Sequence, residues 1–239
     1  GSDFTLGIHA NGAMMGWGYL TKARTGNGSY GDYTTYIPSQ TYVSTPVQIQ
    51  AGTWSYVTDD RSMDAQYTSD RGRRVWAIKS DGTAWSWGGN EWLTSDGGRT
   101  GSGSVLGYPN ITVSPTQVLA RDVPSWRMIA AGGPTIYGIS TSNTLWAWGS
   151  LNNTNANYLE TMKSWSMVDT NDQAAIGIST DGKLWVWGKL AQGLDGNSGR
   201  GYAAGATVYD LQPVQVGNTY TWTKCTMGVS FAAAIRSDG

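Results

Sequence analysis

Along the chain, apolar positions fall into short alternating runs separated by turn residues. The stretch Val75 to Gly88, Val-Trp-Ala-Ile-Lys-Ser-Asp-Gly-Thr-Ala-Trp-Ser-Trp-Gly, shows the pattern most fully. Ile78 is followed three and four residues later by Asp81-Gly82, and an Asp-Gly pair between apolar runs marks a tight turn with positive φ. Beyond the turn Trp85 and Trp87 alternate with Ala84 and Ser86, the period of two expected of a strand with one buried face. The stretch predicts a β-hairpin.

Four further copies align on the isoleucine before the turn: Ile8, Ile139, Ile178 and Ile235. Each isoleucine follows a small residue (Gly7, Ala77, Gly138, Gly177, Ala234), which predicts close packing against a neighbouring strand. Four residues after it stands Gly12, Gly82, Asn143, Gly182 or Gly239; asparagine tolerates the left-handed conformation, so Asn143 keeps the turn. Nine residues after it, the first four copies carry Trp-Gly, from Trp17-Gly18 to Trp187-Gly188, with Met15, Trp85, Trp146 or Trp185 two residues earlier. Trp126, Trp165 and Trp222 precede their isoleucines by thirteen residues. Trp54 takes the same part with eleven extra residues, placed in the polar stretch Asp59 to Arg74 as a surface insertion. Pro-x-Gln-(Val/Ile) recurs at Pro46, Pro115 and Pro213, and because proline cannot donate to a ladder it reads as the start of an edge strand.

The hairpins lie near residues 4–18, 75–88, 136–149, 175–188 and 231–239, with 70, 61, 39 and 57 residues between aligned turns. Such periods hold four short strands and a variable loop, which predicts one all-β domain over 1–239, a β-propeller of four-stranded antiparallel blades with about four blades present. The long stretches after each Trp-Gly should leave the same point of every repeat and gather on one face.

Composition sharpens this picture. Thirteen Trp and thirteen Tyr stand against two Phe, with thirty-three Gly. Eleven of the thirteen Trp occupy repeat positions, Trp76 and Trp92 being the exceptions, so the indoles are expected to be packing layers between sheets, not a stacking surface for bases or sugars. Net charge is −1 and charged residues make up 14%, which offers no broad field for nucleic acid or an anionic membrane. Arg71, Arg73 and Arg74 form the one basic run, expected as a solvated loop edge. Cys225 is the single cysteine, ruling out an internal disulfide, and is expected to pack as a small apolar group.

The run Ala-Ile-Lys-Ser-Asp-Gly-Thr-Ala-Trp-Ser-Trp-Gly-Gly-Asn, followed by Pro-Thr-Gln-Val and Trp-Arg-Met-Ile-Ala-Ala-Gly, resembles the regulator of chromosome condensation type repeat. The resemblance covers nearly the whole chain. It implies a β-propeller, normally of seven blades, with each repeat shared between adjacent blades. About four blades do not make seven, so the chain is expected to be a segment of a larger ring. The alternative is a small closed ring with an altered seam.

Little in the sequence points to catalysis. His9 is the only histidine and is expected at a solvent-facing strand end. No Gly-x-Ser-x-Gly elbow or phosphate-binding Gly-Lys loop occurs. Asp59, Asp60 and Asp64, or the turn Asp195-Gly-Asn197, could hold calcium, although neither has the EF-hand spacing; no cofactor is expected. The long loops, rich in Tyr, Asn, Ser and Gly, suit adaptable contact, and Tyr30, Tyr33, Tyr36, Trp92, Tyr108 and Tyr202 are the candidate binding residues. The expected function is a non-catalytic propeller scaffold binding a protein or surface glycan, without nucleic acid or membrane insertion, in a virion (phage tail) or cell-surface setting and within a larger assembly. The family resemblance implies an alternative, a guanine-nucleotide exchange regulator of a small GTPase. A lectin-like or enzyme-inhibitor propeller is a further one.

Overall fold

The computed structural model of the chain describes residues 4–19, 42–59, 74–89, 111–117, 125–132, 135–149, 157–158, 163–171, 174–189, 209–228 and 231–239. The described residues form seventeen strands and no helix. The strands make five antiparallel sheets. Sheet I holds β1 (Phe4–Ile8), β2 (Met14–Tyr19) and β3 (Tyr42–Gln50). Sheet II holds β4 (Trp54–Asp59), β5 (Arg74–Lys79), β6 (Ala84–Gly89) and β7 (Ile111–Gln117). Sheet III holds β8 (Trp126–Ala131), β9 (Thr135–Ser140), β10 (Leu145–Gly149) and the two-residue β11 (Asn157–Tyr158). Sheet IV holds β12 (Trp165–Thr170), β13 (Ala174–Ser179), β14 (Leu184–Lys189) and β15 (Tyr209–Gln215). Sheet V pairs β16 (Trp222–Met227) with β17 (Ala232–Arg236). The three complete sheets are the four-stranded blades that the repeat predicts.

Each sheet is a meander, and the first strands of sheets II to V pack in succession, β4 on β8, β8 on β12 and β12 on β16, while β1, the counterpart of the second strands, packs on β4. The first strands are therefore neighbours along the inner side of the row. Four apolar layers fill the spaces between sheets. Each complete layer is asymmetric. Between sheets II and III, for example, the earlier sheet offers Trp76, Ile78 and Ala84, and the later one offers Trp126 and Trp148. Trp126 meets Trp148 at 5.4 Å and Trp76 meets Trp148 at 5.7 Å between ring centroids, both tilted or edge-on, as aromatic quadrupoles prefer. The next layer repeats this with Trp165 and Trp187 at 5.3 Å and Tyr137 against Trp187 at 5.6 Å. Trp76, off the repeat pattern, is thus core as well.

The small residue before the isoleucine leaves room for the first-strand indole at Gly138 and, at Gly177, also for the neighbouring strand's Met167 carbonyl, 3.0 Å from where a Cβ would stand. A Cβ on Gly138 would lie 2.3 Å from the Trp126 ring, and one on Gly177 would lie 2.8 Å from the Trp165 ring. At the tight turns, Lys79 N–H donates to Thr83 O at 2.9 Å and Gly82 N–H donates to Lys79 O at 2.9 Å. Positive φ is confined to the third loop residue, at 83° for Gly82 and 65° for Asn143. This is a three-residue loop closing on a left-handed residue. That residue's carbonyl does a second job: Gly12, Gly82, Asn143 and Gly182 each accept the N–H of the next sheet's Trp54, Trp126, Trp165 and Trp222, all at 2.8 Å.

Two expectations need correction. Pro46, Pro115 and Pro213 do not start their strands; they sit within β3, β7 and β15, where the register to the third strand shifts. A bulge on an outer strand removes the need for the N–H that proline lacks. Arg74 is not a solvated loop edge. It is 1% exposed, donates through Nη2 to Ser86 Oγ at 3.1 Å, and lies over the Trp76 ring at 5.7 Å. Arg71 and Arg73 lie outside the described residues. Cys225 packs in the last layer as expected.

Burial pushes the Cys225 thiol up to about 12, with the Asp169 carboxylate a lesser cause, and burial pushes the Tyr137 hydroxyl up to about 12. Both are acids whose neutral form the fold holds. Their contribution is complete below the unfolded values of about 9 and 10 and is lost as pH rises through the folded ones. Urea midpoints should therefore fall between about pH 9 and pH 12, and Tyr137→Phe should remove the upper part of that fall, on the order of 3 kcal/mol. Cys225 should react with a thiol reagent at pH 8 only as fast as the protein unfolds.

Candidate functional site

Strand directions divide the propeller into two ends with different chemistry. In sheets II to IV first strands run away from the tight turns, second strands return, third strands run away and fourth strands return, and in sheet I β1, β2 and β3 take the second, third and fourth places. The connections between first and second strands, and between third and fourth, therefore all leave the end opposite the tight turns. Their anchors are the pairs Asp59 and Val75, Gly89 and Ile111, Ala131 and Ile136, Thr170 and Ala175, Lys189 and Tyr209, and Tyr19 and Tyr42. The insertion after Asp59 and the long segments after each Trp-Gly share this end, as the repeat arithmetic predicted for the latter. Tyr30, Tyr33, Tyr36, Trp92, Tyr108 and Tyr202 lie outside the described residues, as do Asp60, Asp64 and Asp195 to Asn197. Among the described residues no group of three His, Cys, Asp or Glu side chains is arranged to hold a metal ion.

At the tight-turn end the polar groups are spent on the frame. Asp81 accepts from Thr83 Oγ1 at 2.6 Å and Thr83 N at 2.9 Å, and the Thr83 hydroxyl, followed by its N–H, holds the carboxyl below its ordinary value. Ser179 does the same for Asp181. Within single sheets, hydroxyls at the start of the first strand and the end of the second meet, Thr53 with Ser80 at 2.6 Å, Ser125 with Thr141 at 2.7 Å and Thr221 with Ser237 at 2.5 Å. His9 is exposed, as expected, with its Nδ1 2.9 Å from Asn11 Oδ1 in the same turn. Trp85, Trp146 and Trp185 stand half-buried at this end, their indole N–H groups taken by Thr83, Thr144 and Ser179. Lys79 Nζ lies 3.9 Å from the Trp85 ring and Lys163 Nζ 4.2 Å from the Trp185 ring, covering the indole faces with cations.

Sequence reasoning missed two inter-sheet clasps. After the first-strand Trp, Ser55, Ser166 and Thr223 cap second-strand carbonyls, including those of Ile78, Ile178 and Ile235. Arg127 stands at the same bulge and reaches into sheet IV instead, donating to Asn143 Oδ1 at 3.0 Å and to the carbonyls of Ser166 at 3.0 Å and Trp165 at 2.5 Å. The break in the Ser/Thr pattern was the signal that could have found it. At the loop-bearing end, Asp169 accepts from Thr226 Oγ1 at 2.8 Å and Met227 N at 2.9 Å, while Asn171 Nδ2 donates to Gly228 O at 2.9 Å. Nothing local marks these two side chains, because their partners stand nearly sixty residues away.

The whole chain superposes on larger propellers. Human WBSCR16 matches 98% of this chain with a TM-score of 0.68 at 15% identity, the match spanning 56% of that protein. Prp20p from Saccharomyces cerevisiae matches 98% of this chain with the same TM-score at 16% identity, spanning 54% of that protein. The fold is that of the regulator of chromosome condensation type β-propeller. As a propeller of this type, the chain spans about half the length of the solved structures it matches. At the level of sequence, no protein-family model matches it and no curated protein does. The repeat is held by a few spaced indoles and glycines, and the loops between them are free to differ.

Proposed function

We propose that the chain is a non-catalytic propeller scaffold whose loop-bearing end binds a protein or a surface glycan. One observation carries this: every long connection leaves the same end of the sheets, while the polar groups of the opposite end are consumed by hydrogen bonds within and between sheets. Recognition on loops over a rigid frame keeps the ordering cost of binding modest. A virion or cell-surface setting is part of the proposal and rests on composition. Replacing Tyr30, Tyr33 and Tyr36 together by serine should abolish capture of a specific partner, measured by quantitative affinity enrichment against the unaltered chain, with no change in melting temperature. Retention of every partner would overturn the assignment to these loops.

A second reading, regulation of nucleotide exchange on a small GTPase, is supported by the fold shared with yeast Prp20p, which is described with its binding to Gsp1p and histones. A nucleotide-release assay over a panel of small GTPases separates the two. Acceleration by the chain would favour exchange.

A further inference from the structure

The tight turn of sheet I departs from the others in the chemistry of one residue. Its three loop residues are Ala10, Asn11 and Gly12, where later turns carry Ser80-Asp81-Gly82, Thr141-Ser142-Asn143 and Thr180-Asp181-Gly182. Asn11 alone among them places a side-chain amide directly before a glycine. That glycine is imposed by the fold: Gly12 has a φ of 86°, and a Cβ on it would lie 3.1 Å from Thr53 Cα in sheet II. A glycine successor leaves the asparagine amide carbon open to attack by the next backbone nitrogen, the first step of deamidation.

The Asn11 amide is also activated. Its Oδ1 accepts the Ala13 N–H at 3.0 Å, which folds the side chain back over its own turn. The same oxygen lies 2.9 Å from His9 Nδ1, which donates to it when that nitrogen carries the ring proton; the Asn11 N–H, 3.4 Å from Nδ1, is the longer contact. Two donors on a carbonyl oxygen stabilise the negative charge that gathers there when a nucleophile adds to the carbon. One bond opposes them, Gly12 N–H to His9 O at 2.8 Å, and it has to open first. His9, Ala10 and Asn11 are all exposed, and exposed loop tips open at low free energy. Asp81 and Asp181 stand at the same place in their turns but are poor electrophiles, because the Thr83 and Ser179 hydroxyls hold their carboxyls below the ordinary value and so ionised.

We propose that Asn11 is a self-modifying site: assisted by His9 and by the Ala13 N–H, its amide cyclises onto the Gly12 nitrogen and deamidates. The bond from Gly12 N to Asn11 Cγ forms, the Cγ–Nδ2 bond breaks, and ammonia leaves with the proton of the Gly12 nitrogen. Water then opens the succinimide to aspartate or isoaspartate, with no change of oxidation state. The two products act differently on the contact between sheets I and II. Aspartate reproduces the arrangement of Asp81, which accepts the Thr83 N–H at 2.9 Å. Isoaspartate adds a methylene to the main chain just before Gly12, whose carbonyl accepts the Trp54 N–H at 2.8 Å, and so displaces that acceptor. The proposal is independent of the loop-end function.

The test incubates the whole chain in neutral buffer and follows residue 11 by peptide mapping, with isoaspartate told from aspartate by electron-transfer fragmentation. Asn27-Gly28, the other Asn-Gly pair of the chain, is the internal reference. Asn11 should convert in the folded chain, and His9→Phe should slow it by about tenfold or more, as expected for loss of one donor to a developing oxyanion, while Asn27 keeps its rate. In urea the two chains should convert Asn11 equally, because the folded turn makes the contacts. No conversion of Asn11 by the time Asn27 has converted, equal rates in the two folded chains, or a difference that persists in urea would overturn the proposal. A second arm reads the contact between sheets: amide exchange at Trp54 should be at least about tenfold faster in the isoaspartyl fraction and unchanged in Asn11→Asp. Equal exchange in the isoaspartyl and unmodified chains would overturn the effect assigned to the Gly12 carbonyl.

Discussion

Gly138→Ala will destabilise the protein by about 3 kcal/mol or more, although it adds a single methyl group. The new carbon would lie 2.3 and 2.8 Å from two atoms of the Trp126 ring and 3.0 Å from Trp148. Neither ring has room to retreat. Trp126 is held from one side by Trp146 and Trp148 and by its N–H bond to Gly82, and Trp148 is wedged against Trp76 of the preceding sheet. The comparison that isolates the cause is Gly7→Ala, at the same repeat position in sheet I. There the nearest atoms, in the Trp17 ring, are 3.6 and 3.7 Å away, an ordinary contact. Urea denaturation of the two variants should show a large drop in midpoint for Gly138→Ala and a change within about 1 kcal/mol for Gly7→Ala. Equal effects would mean that strand propensity, not the indole, sets the small residue.

Trp148→Ala should cost about 3 to 5 kcal/mol, the range for emptying a fully buried large aromatic site. Its ring has no exposure and links three strands across two sheets, touching Trp126 in its own sheet and Trp76 in sheet II. The void left would be walled by rigid indoles, so collapse could recover little. Trp17→Ala, at the equivalent position in sheet I, should cost far less because that ring is half-exposed. Thermal melts followed by near-ultraviolet circular dichroism will distinguish them: loss of melting temperature and of the aromatic signal together for Trp148→Ala, a small loss of each for Trp17→Ala.

Both predictions use residues that the repeat singled out, and the difference between equivalent positions came from packing. Gly7 and Gly138 are interchangeable in the aligned sequence. Only the neighbouring ring separates them. The same holds for Arg74 and Arg127: one looks like part of a polar run and is buried beside Trp76, the other looks like a bulge residue and clasps the next sheet. Long charged side chains choose their burial from whatever surface lies within reach, and that surface is contributed by residues dozens of positions away. The candidate binding aromatics were legible as loop residues with contact-prone composition. Those residues lie outside the described ones, and the strand directions fix only the end of the sheets from which their segments depart.

By itself the sequence determined the hairpins, their register around the Ile-x-x-x-Gly turn, the four-strand period and the indole positions, because alternation, left-handed turn residues and spacing are local quantities written into consecutive side chains. The tertiary structure alone decided which faces of successive sheets meet, which first-strand N–H is held by which turn carbonyl, and which polar side chains cross between sheets. Those contacts join residues about twenty to seventy positions apart, and pairings at that distance depend on the sheets having stacked, which no local pattern records.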